Sequence, residues 1–282
     1  MTATFLGIHT GSFSSPAAGN PTVVMVEAAY RHHGIDARYL NCEVAPGALR
    51  DAVGGARAMG WAGFNCSLPH KVAVIDHLDR LAESAEVIGA VNTVVATHGE
   101  LVGHNTDGQG FVESLRTVVD PAGLEVVVLG AGGAARAVAV ETALAGAARV
   151  TVVNRTERRG AELARLVTAG TGVPAASVPW DQPYAVPATT DVVVHATSVG
   201  FGDGDALVAL ELDSLREGLV VADVVVSPPR TALLRAAEAR GARTLDGLGM
   251  LVGQGALAVR HWTGIDPDRE VMRTAAIAAL RI

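Results

Sequence analysis

The chain has 282 residues, which at roughly 100–200 residues per domain suits one large domain or two modest ones. It is 49% hydrophobic and 18% charged, a balance that buries a sizeable core and excludes a disordered chain. A net charge of −7 excludes the basic footprint of a nucleic-acid binder.

Short β-rich runs alternate with Ala/Leu/Arg-rich helical stretches, the βαβ signature of a parallel sheet, so the fold class is α/β. In the first half, residues 5–8, 37–41 and 62–66 are predicted strands. Residues 21–32 are a predicted helix, with Pro21 in the first turn where its missing N–H is no loss. Residues 91–97 and 100–104 read as two strands joined by a turn at His98 and Gly99. Turn signals over 105–108 mark a domain boundary, and a helix is expected from about Gly110. The second half reads as a doubly wound unit, with strands at 125–129, 149–153, 191–195 and 220–225. Helices are expected at 134–145, 158–168 and 231–240, and two more, at 250–262 and 269–280, close the sequence. Cys42 and Cys66 have no metal-ligand spacing, so no metal site is predicted, and two thiols in so long a chain point to a reducing compartment. Residues 1–13 lack a basic segment followed by a long apolar one, and runs such as 126–129 and 220–226 are too short to span a bilayer. A soluble cytoplasmic protein with neither membrane nor nucleic-acid partner is expected.

The segment Gly130-Ala131-Gly132-Gly133-Ala134-Ala135 follows a predicted strand and opens a predicted helix. Gly130 permits a tight turn, Gly132 lets the backbone approach a pyrophosphate, and Ala135 is small enough for close helix–strand packing. The helix N-terminus would hold phosphates through its N–H groups and dipole. The next strand ends at Asn154, followed by Arg155, Thr156, Arg158 and Arg159. A carboxylate there would bond a ribose 2′-hydroxyl; an amide followed by guanidiniums suits a 2′-phosphate, so NADP is favoured over NAD. Arg155 directly follows the strand, whereas Arg158 reads as part of a solvated helix face.

Of 22 basic residues 21 are Arg, and the single Lys is Lys71. It closes the segment Asn65-Cys66-Ser67-Leu68-Pro69-His70-Lys71; further on come Asn92 in Ala90-Val91-Asn92-Thr93 and Asp107 in Asn105-Thr106-Asp107-Gly108. These are the residue types that bind several hydroxyls and move one proton. Singly, Asn92 and Asp107 also fit turn or cap residues, and His70 also fits a structural histidine.

Together these segments resemble the shikimate dehydrogenase family. The resemblance rests on NxSxPxK at 65–71, AVNT at 90–93, NTDG at 105–108, GAGGAAR at 130–136 and NRTxxR at 154–159, with ATSxG at 196–200 and DGLGMLVxQ at 246–254. The motifs keep the family's order over nearly the whole chain. The resemblance implies an N-terminal substrate-binding domain, residues 1–104, completed by helices within 247–282, and a Rossmann-like NADP domain, residues 105–246. It implies Lys71 and Asp107 as the proton-transfer pair, either of which can take the proton in the oxidative direction. Ser15, Ser67, Asn92 and Gln254 would bind substrate. Gly130, Gly132, Gly133, Ala134, Ala135, Asn154, Arg155, Thr156 and Arg159 would hold NADP, with Thr197 and Met250 facing the nicotinamide. The implied partner is a small cyclic hydroxy acid or polyol, and the implied assembly a monomer or homodimer.

Three positions depart from the family. Phe13 stands where the segment before Pro16 carries its first Ser, Val226 where the segment starting at Asp223 ends in Tyr, and Ser67 where a Thr is usual. The resemblance implies that the first Ser and the Tyr hold the substrate carboxylate, and a buried anion without donors is costly. Two enzymatic readings follow: reduction of 3-dehydroshikimate to shikimate, or action on quinate or another cyclic polyol recognised differently at that end. Ser12 or Ser14 supplying the missing hydroxyl would favour the first. Retention of Lys71, Asp107 and Gln254 argues against a non-catalytic nucleotide-binding protein, which needs no proton shuttle.

Overall fold

The computed structural model describes residues 6–282 and divides them into two compact units. Unit 1 runs to Thr106 and resumes at Gly255–Arg281; unit 2 is Asp107–Gln254.

Unit 1 begins with β1 (Ile8–Ser14), α1 (Thr22–His32), β2 (Ala37–Glu43), α2 (Leu49–Ala58), β3 (Gly63–Cys66) and α3 (His70–Ala73). It continues with β4 (Arg80–Leu81), α4 (Glu83–Ile88), β5 (Thr93–Thr97) and β6 (Glu100–His104). The strands form one six-stranded sheet in the order β2-β1-β3-β5-β6-β4. β1 is parallel to β2 and β3, while β5 is antiparallel to both β3 and β6. His98 (φ 51°) and Gly99 (φ 85°) both adopt left-handed backbone, the conformation that a tight hairpin turn between right-twisted strands requires. Phe13, Trp61, Phe64, Leu49, Val53 and Val74 form the core under α2.

α5 (Thr106–Leu115) leads into unit 2, followed by β7 (Glu125–Leu129), α6 (Gly133–Leu144), β8 (Arg149–Asn154), α7 (Glu157–Thr171) and β9 (Ala175–Pro179). Then come β10 (Val192–His195), β11 (Val220–Asp223), α8 (Ala232–Glu238), β12 (Arg243–Leu245) and α9 (Gly247–Thr263). All six strands are parallel, in the order β12-β11-β10-β7-β8-β9. The chain moves outward from β7 to one edge, then returns to β10 and moves to the other. That is the doubly wound Rossmann order, with its switch point between β7 and β10. The Val-rich strands β10 and β11 are buried throughout, as a parallel sheet covered on both faces demands. In unit 1, Trp262 near the end of α9 donates from Nε1 to Val94 O (3.0 Å), and α10 (Arg269–Leu280) packs on α1.

Several expected boundaries move. The first strand is Ile8–Ser14 rather than 5–8, residue 5 lying outside the described residues. α5 begins at Thr106, not near Gly110, because the Asn92 side chain accepts the Thr106 N–H (2.7 Å) and caps the helix from 14 residues away. β9 and β12 were not expected from their short runs Ala-Ala-Ser-Val-Pro and Arg-Thr-Leu, nor were α2 and α4. Among the described residues no helix is long and apolar enough to cross a membrane.

Candidate active site

In unit 2 a cavity of about 780 Å³ opens beyond the carboxyl ends of β7, β8 and β10, where open α/β sheets bind ligands. Gly130 directly follows β7 with φ +116°, and a Cβ there would meet Ala196 O at 2.8 Å, so only glycine allows the turn to press against the end of β10. A Cβ on Gly132 or Gly133 would meet nothing within 4 Å. Their backbone therefore faces open space in the cavity. Gly132 is also the N-cap of α6, with no side-chain cap and no acidic residue in the helix's first turn. An uncapped, acid-free helix N-terminus on a cavity is suited to an anion.

Ala134, Asn154, Arg155, Arg159 and Thr197 line the same cavity as the three glycines. Asn154 donates from Nδ2 to Thr156 O (2.8 Å) and so holds the turn after β8. The exposed guanidiniums of Arg155 and Arg159 add positive charge beside it, with no carboxylate at the strand end. Arg158 pairs with Glu162 (2.7 Å) on the outer face of α7 and is not part of the lining. This donor set fits a dinucleotide with an additional phosphate on its ribose. The other three expected cofactor residues lie off the cavity wall. Ala135 is fully buried within α6, Thr156 is the N-cap of α7, and Met250 is in the first turns of α9. Sequence reasoning missed the opposite wall, formed by residues 180–183 and 207–209, where Trp180 donates from Nε1 to Ala209 O (2.8 Å). Trp180, directly after the short run that forms β9, was the available signal.

In unit 1 the expected substrate residues gather by backbone pairing. Ser67 N donates to Phe13 O (3.1 Å), and Ser15 N to Leu68 O (3.1 Å). Cys66 N donates to Asn92 O (2.8 Å), and Val91 N to Lys71 O (2.7 Å). These bonds bring Ser15, Ser67, Lys71 and Asn92 to the carboxyl ends of β1 and β3 and the start of β5. Asn92 is buried; its Nδ2 donates to Thr106 Oγ1 (3.0 Å), and Thr93 and Thr106 hydroxyls meet at 2.9 Å. Asn65 joins them by donating to Thr93 Oγ1 (2.9 Å) and accepting from Tyr39 (2.8 Å). Burial pushes the Cys66 thiol up to about 12 against the opposing pull of the Lys71 ammonium, so it remains a thiol. His70 is buried with Nε2 2.8 Å from Val44 O, a structural anchor rather than a free base.

Asp107 and Gln254 belong to unit 2. Asp107 is in the first turn of α5, three residues before Gly110 on the same helix face. A Cβ at Gly110 would lie 2.4 Å from Gln254 N, so α5 and α9 touch backbone to backbone there. Gln254 donates from Nε2 to Leu251 O (3.0 Å).

The departing positions are informative. Phe13 is 3% exposed, stacked on Phe64 (centroids 4.5 Å apart) and tilted against Trp61 (5.9 Å). It is a core side chain and supplies no donor. Ser12 is consumed by Asn41 (2.9 Å) and Asn20 (3.0 Å). Ser14 is buried, and its hydroxyl has no partner among the described residues. Val226, half-buried after β11, carries no hydroxyl either.

Three family descriptions match the chain: "Shikimate dehydrogenase substrate binding domain" over residues 14–94, "Shikimate / quinate 5-dehydrogenase" over 114–200, and "Shikimate 5'-dehydrogenase C-terminal domain" over 247–277. The shikimate dehydrogenase (NADP(+)) of Shouchella clausii is 42% identical, over 93% of this chain and 95% of its own. That of Thermococcus kodakarensis is also 42% identical, over 96% of each. Among solved structures, the ligand-free 5-ketofructose reductase of Gluconobacter sp. strain CHM43 is 54% identical, covering 98% of this chain and 99% of its own with a TM-score of 0.96. The shikimate 5-dehydrogenase of Listeria monocytogenes, in complex with shikimate and NAD, is 33% identical, covering 97% and 98% with a TM-score of 0.89.

Proposed function

The chain belongs to the shikimate dehydrogenase family, and on that premise we propose that it is an NADP-dependent oxidoreductase interconverting 3-dehydroshikimate and shikimate. The observation that carries the reading is the pairing of two features. One is the anion cradle with Arg155 and Arg159 at the switch point of a Rossmann sheet; the other is the Ser67–Lys71–Asn92 cluster at the strand ends of unit 1. NADP, when bound, supplies hydride exchange at the nicotinamide C4. Gly132, Gly133 and the α6 N-terminus would hold its pyrophosphate, and Asn154, Arg155 and Arg159 its 2′-phosphate. Ser15, Ser67, Asn92 and Gln254 orient the substrate. Lys71 and Asp107 move the hydroxyl proton; a placed side chain in that task is worth roughly 10²–10⁴ in rate. Unit 1, with the end of α9 and α10, is the substrate domain. The enzyme works in the cytoplasm as a monomer or homodimer.

Two observations favour a second reading, a polyhydroxylated ketone without a carboxylate. Phe13 and Val226 remove both hydroxyls from the carboxylate end, and the chain is 54% identical to a protein named as a 5-ketofructose reductase. Steady-state kinetics with NADPH on both ketones decides. The first reading expects kcat/KM for 3-dehydroshikimate within the ordinary range of about 10⁴–10⁸ M⁻¹s⁻¹ and above that for 5-ketofructose. The opposite ranking selects the second, and turnover of neither overturns both.

A further inference from the structure

Five polar side chains of unit 1 gather where β5 starts and β6 ends: Asn65, Asn92, Thr93, Asn105 and Thr106, all of them buried. Asn65 Nδ2 donates to Asn92 O (3.1 Å) and to Thr93 Oγ1 (2.9 Å), and its Oδ1 accepts from the Tyr39 hydroxyl (2.8 Å). The hydroxyls of Thr93 and Thr106 meet at 2.9 Å. Asn92 Oδ1 accepts the Thr106 N–H (2.7 Å), and its Nδ2 donates to Thr106 Oγ1 (3.0 Å). A backbone N–H can only donate and a carbonyl only accept, so the Thr106 N–H and the Asn92 carbonyl fix which way the Asn92 and Asn65 amides point. Asn105 Nδ2 donates to Ala90 O (3.1 Å), and Asn92 N to His104 O (3.1 Å). These bonds tie residues 104–106 to 90–93. Residues 90–93 are tied in turn to the segment ending at Lys71, whose carbonyl accepts the Val91 N–H (2.7 Å). Asp107 is the next residue of α5 after this frame ends at Thr106.

On the reading proposed above, in which Asp107 moves the hydroxyl proton, we propose that Thr93 and Thr106 are positioning residues whose paired hydroxyls hold the first turn of α5 and so set where the Asp107 carboxylate stands. Packing alone does not call for these hydroxyls. Both threonines are fully exposed to protein and not to water, at 0% accessibility, and valine has nearly their shape without a polar atom to satisfy. What the hydroxyls add is direction. A fully bonded buried polar network permits one arrangement of its members, whereas apolar contacts would let the start of the helix shift. A group that exchanges a proton needs that precision, since a misplacement of about 1 Å can cost roughly 10²-fold in rate. Thr93 and Thr106 thus act through Asp107 and not on the substrate.

Steady-state kinetics tests it, with NADPH and whichever of 3-dehydroshikimate and 5-ketofructose the wild type reduces. Thr106→Val and Thr93→Val are each expected to lower kcat roughly ten- to a hundredfold, with KM for the ketone within about twofold. Thr106→Ser keeps the hydroxyl and should stay within about threefold of the wild-type kcat. Asp107→Asn alone is expected to cost roughly 10²–10⁴ in kcat. Adding Thr106→Val to it should cost less than about twofold more, because the carboxylate that the hydroxyl places is already gone. A merely structural role would lower kcat by the same factor with and without Asp107, and that result overturns the proposal. So does an unchanged kcat in Thr106→Val, a loss confined to KM, or a Ser variant as slow as the Val one. If Thr106→Val fails to fold, the same series with Thr93→Val decides. A near-normal kcat for Asp107→Asn overturns the role of Asp107 in proton transfer, and with it the proposal. A wild type that reduces neither ketone overturns the proposed function itself, an outcome distinct from the others.

Discussion

Lys71 is the one lysine among 22 basic residues, and it falls in α3 directly after the segment that Phe13 and Ser15 fasten by backbone bonds. Arginine is the chain's ordinary cation, yet a guanidinium cannot give up its proton under physiological conditions, and an ammonium can. Lys71→Arg, although it conserves charge, is therefore expected to lower kcat by roughly 10²–10⁴, close to the loss for Lys71→Ala. NADP⁺ affinity should be unchanged, since Lys71 is not among the residues lining the cavity at the glycine turn. Steady-state kinetics beside a binding titration checks it; a near-normal kcat for the Arg variant would remove the proton role. The residue types at this site were legible in the sequence, but their duties were not. Asn92 looked like a substrate ligand and is also the cap of α5, and His70, which could have been a base, is spent on Val44.

Between elements, backbone proximity does what side chains cannot. Gly110 of α5 and Gln254 of α9 are so close that an added methyl meets a backbone nitrogen at 2.4 Å. Gly110→Ala must push the helices apart, and the expected loss is about 1–3 kcal/mol in urea unfolding, despite alanine's better helix propensity. A stabilised variant would contradict the packing. β6 and α9 supply a second case. The rings of His104 and His261 lie 4.4 Å apart. Burial first, then His261 and Arg80, lowers the His104 pKa to about 4. Burial and Arg260 lower that of His261 as well. The unfolded chain binds these protons near pH 6.5 and the folded one does not, so stability is full above about pH 6.5 and falls as the pH drops toward about 4. Unfolding midpoints at pH 5 and pH 7 should differ in that sense, and His104→Gln should shrink the difference.

At the scale of the whole molecule the reading depends on unit 2 taking NADP. A ligand that binds only the folded state at 100 times its Kd adds about 2.7 kcal/mol. For a unit of this size that is a rise of roughly 5–10 °C in Tm. NADP⁺ should produce it and NAD⁺ at equal concentration should not, because Arg155 and Arg159 have a 2′-phosphate to meet only in the first. Equal shifts would reassign the two arginines to the solvent.

Local chemistry settled much of this protein in advance. Valine runs gave β7, β10 and β11, Gly130 demanded a left-handed turn, Asn154 and the arginines after it indicated a phosphate, and one lysine stood apart. Weak strands such as Ala175–Pro179 escaped because their small side chains carry no period of their own and gain β structure only from a neighbour's ladder. What only the tertiary structure decided is which distant residues meet. Phe13 faces a core of aromatics rather than a ligand, Asn92 caps a helix 14 residues on, and His195 finds Asp223 across two strands. Those partnerships are fixed by sheet register and strand order, and register follows from burying whole faces together. Spacing along a single chain carries no record of it.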